Sequence, residues 1–162
     1  TIEPRKGHAL VLDAFDRLWA RSLDVNLVLV GREGWMVEAL VKKLKTHPRL
    51  GKQLFWIERA DDALLDRLYA AASCLIAASE GEGFGLPLIE AAQRGLPVLA
   101  RDIPVFREVG GGGASYFAGD PDSLADVAAQ WLANCQPATI RYLSWRESAE
   151  QFKQALRLAE GT

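Results

Sequence analysis

Short apolar runs alternate with amphipathic stretches along the whole chain. Leu10, Val11, Ala14, Phe15, Leu18 and Trp19 recur at helical spacing and predict a helix over residues 8–21. Leu27-Val28-Leu29-Val30, closed by Gly31, is continuous rather than alternating, which fits a strand buried on both faces. Met36, Val37, Leu40, Val41 and Leu44 predict a second helix, stopped before Pro48. Leu54-Phe55-Trp56-Ile57 predicts a strand, and Asp61 or Asp62 caps a helix carrying Leu64, Leu65, Leu68 and Tyr69. Cys74-Leu75-Ile76-Ala77 reads as another buried strand, followed by a glycine-rich loop. The next helix opens at Leu86-Pro87, with proline in its favoured first-turn place, and ends at Gly95. Pro97–Ala100 and Ser115–Phe117 are strands. Leu124, Val127, Ala128, Trp131 and Leu132 mark a late helix; Ala149, Phe152, Leu156 and Ala159 mark the last.

This alternation predicts an α/β fold, a doubly wound parallel sheet with right-handed crossovers, spanning residues 1–162 as one domain. Such sheets bind ligands beyond the carboxyl ends of their strands. The loops that matter are therefore 1–8, 31–35, 57–62, 78–86 and 101–106. The acid and bases of Asp102–Glu108 read as caps and surface pairs, and Gly110–Gly113 as a flexible turn. Trp35, Trp56, Trp131 and Trp145 fall at core-like spacing and read as packing. Thr1 falls where a strand should be finishing, so the chain reads as cut from a longer polypeptide, with part of its first strand left out.

Composition narrows the chemistry. A net charge of −2 over 162 residues gives no basic balance for nucleic acid. No apolar run reaches the length of a membrane span, and Thr1–Lys6 has no signal-peptide character. Cys74 and Cys135 fit no metal-ligand spacing and read as reduced thiols of a cytoplasmic protein.

The informative segment is Ser79-Glu80-Gly81-Glu82-Gly83-Phe84-Gly85-Leu86-Pro87-Leu88-Ile89-Glu90. Its alternate glycines let backbone approach a ligand closely, and the helix behind them points N–H groups and its positive dipole end at the same place. A phosphate suits that position. The spacing is not Gly-x-Gly-x-x-Gly, and no Walker loop occurs. From the residues alone, Glu90 reads either as a complement to the helix dipole or as a ligand for paired ribose hydroxyls. Glu82 reads as a solvated loop acid or a ligand for a sugar hydroxyl. Arg5 and Lys6 read as a solvated basic pair or a diphosphate grip. Arg32 reads equally as a contact to a diphosphate or base and as a surface cation, and His8 as structural.

Glu82 and Glu90, seven residues apart with Gly-Phe-Gly-Leu-Pro between them, resemble the E-x7-E motif of glycosyltransferase family four. The similarity runs from Lys6-Gly7 through Leu68-Tyr69-Ala70-Ala71-Ala72 to the closing helix. It implies a Rossmann-like, C-terminal half of a GT-B fold, the donor domain of a retaining hexosyltransferase. Glu90 would bind the donor ribose and Glu82 the transferred sugar. The backbone of Gly83, Phe84, Gly85 and Leu86 would face sugar and phosphate. Lys6, with Glu82 as the other catalytic residue, would stabilise the leaving diphosphate. Thr1 stands where the family usually carries an arginine, so Arg5 is expected to supply a second charge. Gly31 and backbone groups after Ile57 would approach the diphosphate and base.

Glu3-Pro4-Arg5-Lys6 resembles a subset that includes bacterial polysaccharide mannosyltransferases. That resemblance implies a nucleotide sugar, GDP-mannose first and UDP-sugars next, with no cofactor and no metal. It further implies a polysaccharide or lipid-linked acceptor held by a separate N-terminal domain, and peripheral membrane association of the full-length enzyme at the inner face of the cytoplasmic membrane. Two rivals stand beside it: a nucleotide-sugar epimerase of the same architecture, and a non-catalytic scaffold module.

Overall fold

The structure, a computed structural model, describes residues 1–134 and 139–160, with side chains as far as residue 156. Its elements in order are α1 (His8–Ala20), β1 (Leu27–Val30), α2 (Glu38–Lys45), β2 (Leu54–Ile57), α3 (Asp62–Ala71) and β3 (Leu75–Ala77). They continue with α4 (Leu86–Gln93), β4 (Val98–Arg101), α5 (Pro104–Gly110), β5 (Ser115–Phe117), α6 (Pro121–Asn134) and α7 (Trp145–Glu160). Cys135 and the side chain of Ala159 lie outside the described residues.

Local chemistry sets most of these boundaries. α1 buries Val11, Ala14, Phe15, Leu18 and Trp19 of the stripe that its spacing predicts, and Leu12 besides, while Leu10 is half-buried. Of the two candidate caps for α3, Asp61 takes the role, accepting from the Leu64 amide at 2.8 Å. Gly95 stops α4 in the left-handed region, φ 65°.

All strand pairs are parallel, but they form two sheets. β1 pairs with β2, Leu27 opposite Leu54, while β4 pairs with β3 on one side and β5 on the other. The continuous sheet expected from the alternation is thus divided between β1 and β3. One apolar cluster lies under α1, β1, α2, β2 and α6; the other joins β3, α4, β4 and α5 around Leu88, Val98 and Phe106. Two ion pairs help seat α6 against α1: Arg17–Asp122 at 2.5 Å and Arg21–Asp126 at 2.6 Å.

Three sequence expectations fail. Trp35 and Trp145 are 59% and 86% exposed, so neither packs. Trp145 opens α7, whose apolar residues Phe152 and Leu156 also face outward, and helical spacing alone cannot tell a core stripe from an unpartnered one. Met36 lies outside α2, exposed and in the left-handed region at φ 53°. Trp56 and Trp131 do pack against the first cluster.

Candidate functional site

One large cavity of about 1040 Å³ runs between β1 and β3 and opens at the carboxyl ends of the strands. Lys6, Gly31, Glu58–Ala60, Tyr69, Ser79, Glu82 and Glu90 all contribute to its wall.

Lys6 arrives from a 3-10 turn, Pro4–Lys6, that hands over to α1 through Gly7. Gly7 has φ 73°, and a Cβ there would sit 2.3 Å from the Ala78 carbonyl oxygen. Glycine is needed on both counts, and the close approach presses the Lys6 turn against the end of β3. The Arg5 carbonyl accepts from the Glu80 amide at 2.8 Å, fixing the same juxtaposition.

Lys6 Nζ forms an ion pair with Glu82 Oε1, across 76 positions of sequence. The Ser79 hydroxyl donates to the same oxygen at 2.8 Å. The Glu82 side chain is 13% exposed. Burial alone would raise its carboxyl, but the hydrogen bonds from Lys6 and Ser79 and the nearby charges of Lys6 and Arg5 outweigh it. Glu82 therefore sits below its ordinary value and is ionised at neutral pH. Arg5 itself is exposed and pairs with Glu3 at 3.1 Å.

Glu90 projects from α4 into the cavity wall and is exposed. The Tyr69 hydroxyl, from α3, donates to its Oε2 at 3.0 Å. Burial first, then the charge and hydrogen bond of Glu90, push the Tyr69 phenol up to about 12, so it stays a donor. Arg94 stacks on the Tyr69 ring at 4.6 Å and pairs with Asp66 at 2.5 Å, holding α3 and α4 together behind the carboxylate.

The remaining candidates divide. Gly85 caps α4 with φ 82°, and a Cβ there would meet the Phe106 ring at 3.4 Å. Gly83, Phe84 and Leu86 are exposed, the last two 61% and 53%, so no side chain of theirs plugs the helix mouth. Pro87 has no N–H, and the Leu88 amide donates to the Gly85 carbonyl, so the first turn offers fewer donors than the motif suggests. Gly31 lies at the end of β1, its carbonyl accepting from the Trp56 indole at 2.9 Å. The Ile57 carbonyl accepts from the Gly31 amide, and Ile57 faces a second, smaller cavity; the residues after it face the large one. Arg32 is exposed at the rim.

Sequence reasoning assigned no site role to Tyr69 or Ser79. Ser79 stands inside the motif, three positions before Glu82, and that place is the signal for it. Tyr69 lies on a different helix, at a position that reads as core. Among the described residues no group of three or more His, Cys, Asp or Glu side chains is placed to hold a metal ion.

The family model for glycosyl transferases group 1 matches residues 1–155. The chain belongs to this family. As a group 1 glycosyl transferase domain, it is 51% identical over 157 residues to the serotype-specific mannosyltransferase WbdA of Escherichia coli. That match takes in 93% of this chain and 19% of the relative, so the domain spans about a fifth of the longer protein. It is 30% identical over 155 residues to O-antigen chain mannosyltransferase B of Escherichia coli, covering 95% of this chain and 40% of that one. The crystal structure of Anabaena HepE in complex with UDP and glucose superposes with a TM-score of 0.68 at 26% identity, over 84% of this chain and 38% of that one.

Proposed function

We propose that this group 1 domain holds the donor of a retaining mannosyltransferase. The donor is a nucleoside diphosphate sugar, GDP-mannose first. Its mannose passes to a growing polysaccharide or lipid-linked acceptor held by another domain of the longer polypeptide. The observation that carries the reading is the convergence of Lys6, Glu82 and Glu90 on one cavity at the carboxyl ends of the strands. Similarity to the two Escherichia coli mannosyltransferases supports mannose as the sugar.

In this reading Lys6 meets the diphosphate, with Arg5 as a second, outlying charge. Negative charge grows on the departing diphosphate as the glycosidic bond breaks, and a fixed cation beside it lowers the barrier by about 3 kcal/mol. The backbone from Gly83 to Leu86 faces sugar and phosphate. Glu82, held ionised, accepts from a hydroxyl of the transferred sugar. Glu90, oriented by Tyr69, accepts from the ribose. Gly31 and the residues after Ile57 line the side where the base lies. Lys6 and the loop amides neutralise the leaving group, and the reading calls for no metal. It includes a cytoplasmic location, with the full-length enzyme touching the inner membrane face to meet its acceptor. No feature of the site favours the epimerase or the scaffold.

The test uses the full-length polypeptide with acceptor glycan, offered GDP-mannose or UDP-sugars in the presence of EDTA, with GDP and UDP binding followed by calorimetry. Mannose transfer from GDP-mannose in EDTA is the expected result. Transfer from UDP-sugars alone would overturn the donor assignment. Activity lost in EDTA and restored by a divalent ion would overturn the role given to Lys6.

A further inference from the structure

β4 ends in a charged residue. Arg101, its last position, lies opposite Phe117 of β5, and its side chain is only 18% exposed. Nη1 approaches Glu80 Oε1 at 3.3 Å, an ion pair, yet this buried nitrogen makes no aligned hydrogen bond. Nη2 donates to the Gly119 carbonyl at 3.5 Å, the long limit of such a bond. A Cβ at Gly119 would lie 2.5 Å from Nη2, so the guanidinium occupies space that a glycine leaves open. A guanidinium withdrawn from water with so few hydrogen bonds adds little to stability, and an apolar side chain of like volume would serve the sheet as well. The charge at this place calls for another reason.

Glu80 supplies it, two positions before Glu82 on the glycine-rich loop. Among the described residues Arg101 is the one cation paired with its carboxylate. The Glu80 amide donates to the Arg5 carbonyl at 2.8 Å, and the Ser79 hydroxyl beside it donates to Glu82 Oε1 at 2.8 Å. Glu80 thus joins three segments: the turn carrying Lys6, the loop carrying Glu82, and the end of β4. The turn has an anchor of its own, since Gly7 is pressed against Ala78. The loop beyond Glu80 lacks such packing: a Cβ at Gly81 or Gly83 would meet nothing within 4 Å. Releasing the Glu80 carboxylate should therefore move Glu82 and leave Lys6 in place.

We propose that Arg101 is a positioning residue: through its charge on Glu80 it sets where the glycine-rich loop holds the Glu82 carboxylate. It acts from behind the site, outside the lining of the large cavity. The loop glycines supply the freedom that lets backbone approach a ligand, and the ion pair takes that freedom back at one point. A single pair with a 62% exposed carboxylate is weak as a stabiliser. Misplacing a reacting group by about 1 Å, however, costs up to about a hundredfold in rate, so a weak contact can matter greatly through position. The inference rests on the placement of Glu82 at the transferred sugar, and not on which sugar or base the donor carries.

Steady-state kinetics of the full-length polypeptide, with acceptor glycan and GDP-mannose or UDP-sugars, test it. Arg101→Met keeps a long side chain and removes the charge. It should lower kcat about tenfold and leave the affinity for GDP or UDP, read by calorimetry, within about twofold of wild type. Arg101→Lys, which restores the charge without the planar fork, should recover part of that loss. Glu80→Ala should cost the same factor as Arg101→Met, and the double variant no more than either alone. Losses that multiply would overturn the proposal, since Arg101 would then act by a route other than Glu80. So would weakened nucleotide binding with kcat unchanged. Hydrogen exchange gives a reading that needs no turnover. In Arg101→Met the Glu80 amide should exchange at least about tenfold faster, while the Leu75 amide, bonded to the Pro97 carbonyl, keeps its rate. An unchanged Glu80 amide, or equal acceleration at Leu75, would sink the assignment. A wild type that transfers no sugar would defeat the donor reading and leave the exchange result to decide this one.

Discussion

Lys6 holds one partner in the structure, Glu82, and is assigned a second, the donor diphosphate; replacement by methionine separates the two roles. The Lys6 and Glu82 side chains are 28% and 13% exposed. At an effective dielectric of about 20, contacting unit charges attract by about 5 kcal/mol, most of it offset by lost hydration. A charged hydrogen bond to the diphosphate contributes about 1.5–3 kcal/mol, about ten- to a hundredfold in affinity. Lys6→Met in the full-length polypeptide should therefore weaken GDP binding by about that factor, read by calorimetry at physiological salt. Glu82→Gln removes the competing carboxylate: GDP binding should hold or tighten, while the transfer rate falls about a hundredfold. The double variant should bind GDP as weakly as Lys6→Met. If Lys6 served only to neutralise Glu82, the double variant would regain wild-type affinity. That outcome, or a Lys6→Met affinity within about twofold of wild type, refutes the diphosphate role.

Tyr69→Phe leaves the Glu90 carboxylate without its phenol donor and should weaken GDP binding by roughly three- to tenfold, a loss of about 1 kcal/mol, with less effect on the rate at saturating donor. Gly7→Ala forces a Cβ against the Ala78 carbonyl in a left-handed conformation. It should cost at least about 2 kcal/mol, lowering the apparent melting temperature by roughly 4–8 °C in calorimetric scans. Burial foremost pushes the His8 imidazole down to about 4 from 6.5. In that window the unfolded chain binds the proton and the folded chain does not, so stability falls as pH drops from 6.5 towards 4, by up to about 3 kcal/mol. His8→Asn should flatten this part of the pH dependence in denaturant titrations.

The sequence made visible whatever depends on neighbours close along the chain. The stripe of α1, the aspartate cap of α3 and the glycine stop at 95 are local devices and appear where their residue types require. The E-x7-E spacing placed Glu82 on a loop and Glu90 on the following helix for the same reason. Contacts through space left no such trace. Tyr69 and Glu90 meet because α3 and α4 pack side by side, and Lys6 reaches Glu82 because Gly7 permits a backbone approach that any Cβ would block, lying 2.3 Å from the Ala78 carbonyl oxygen. Nor does an apolar spacing say whether a face finds a partner, which is why Trp35 and Trp145 stand exposed at core-like positions. The division of the sheet was equally hidden: each strand reads as buried on its own residues, while pairing is a property of two.

Cys74 adds a practical consequence. It is a free thiol lining the cavity between β1 and β3, and burial pushes it up to about 11, so at neutral pH it is protonated and slow to react. Once Cys135 is replaced by serine, alkylation at Cys74 becomes an intrinsic clock for motions of the cavity wall. Its rate measures how often the wall of that cavity opens around the thiol.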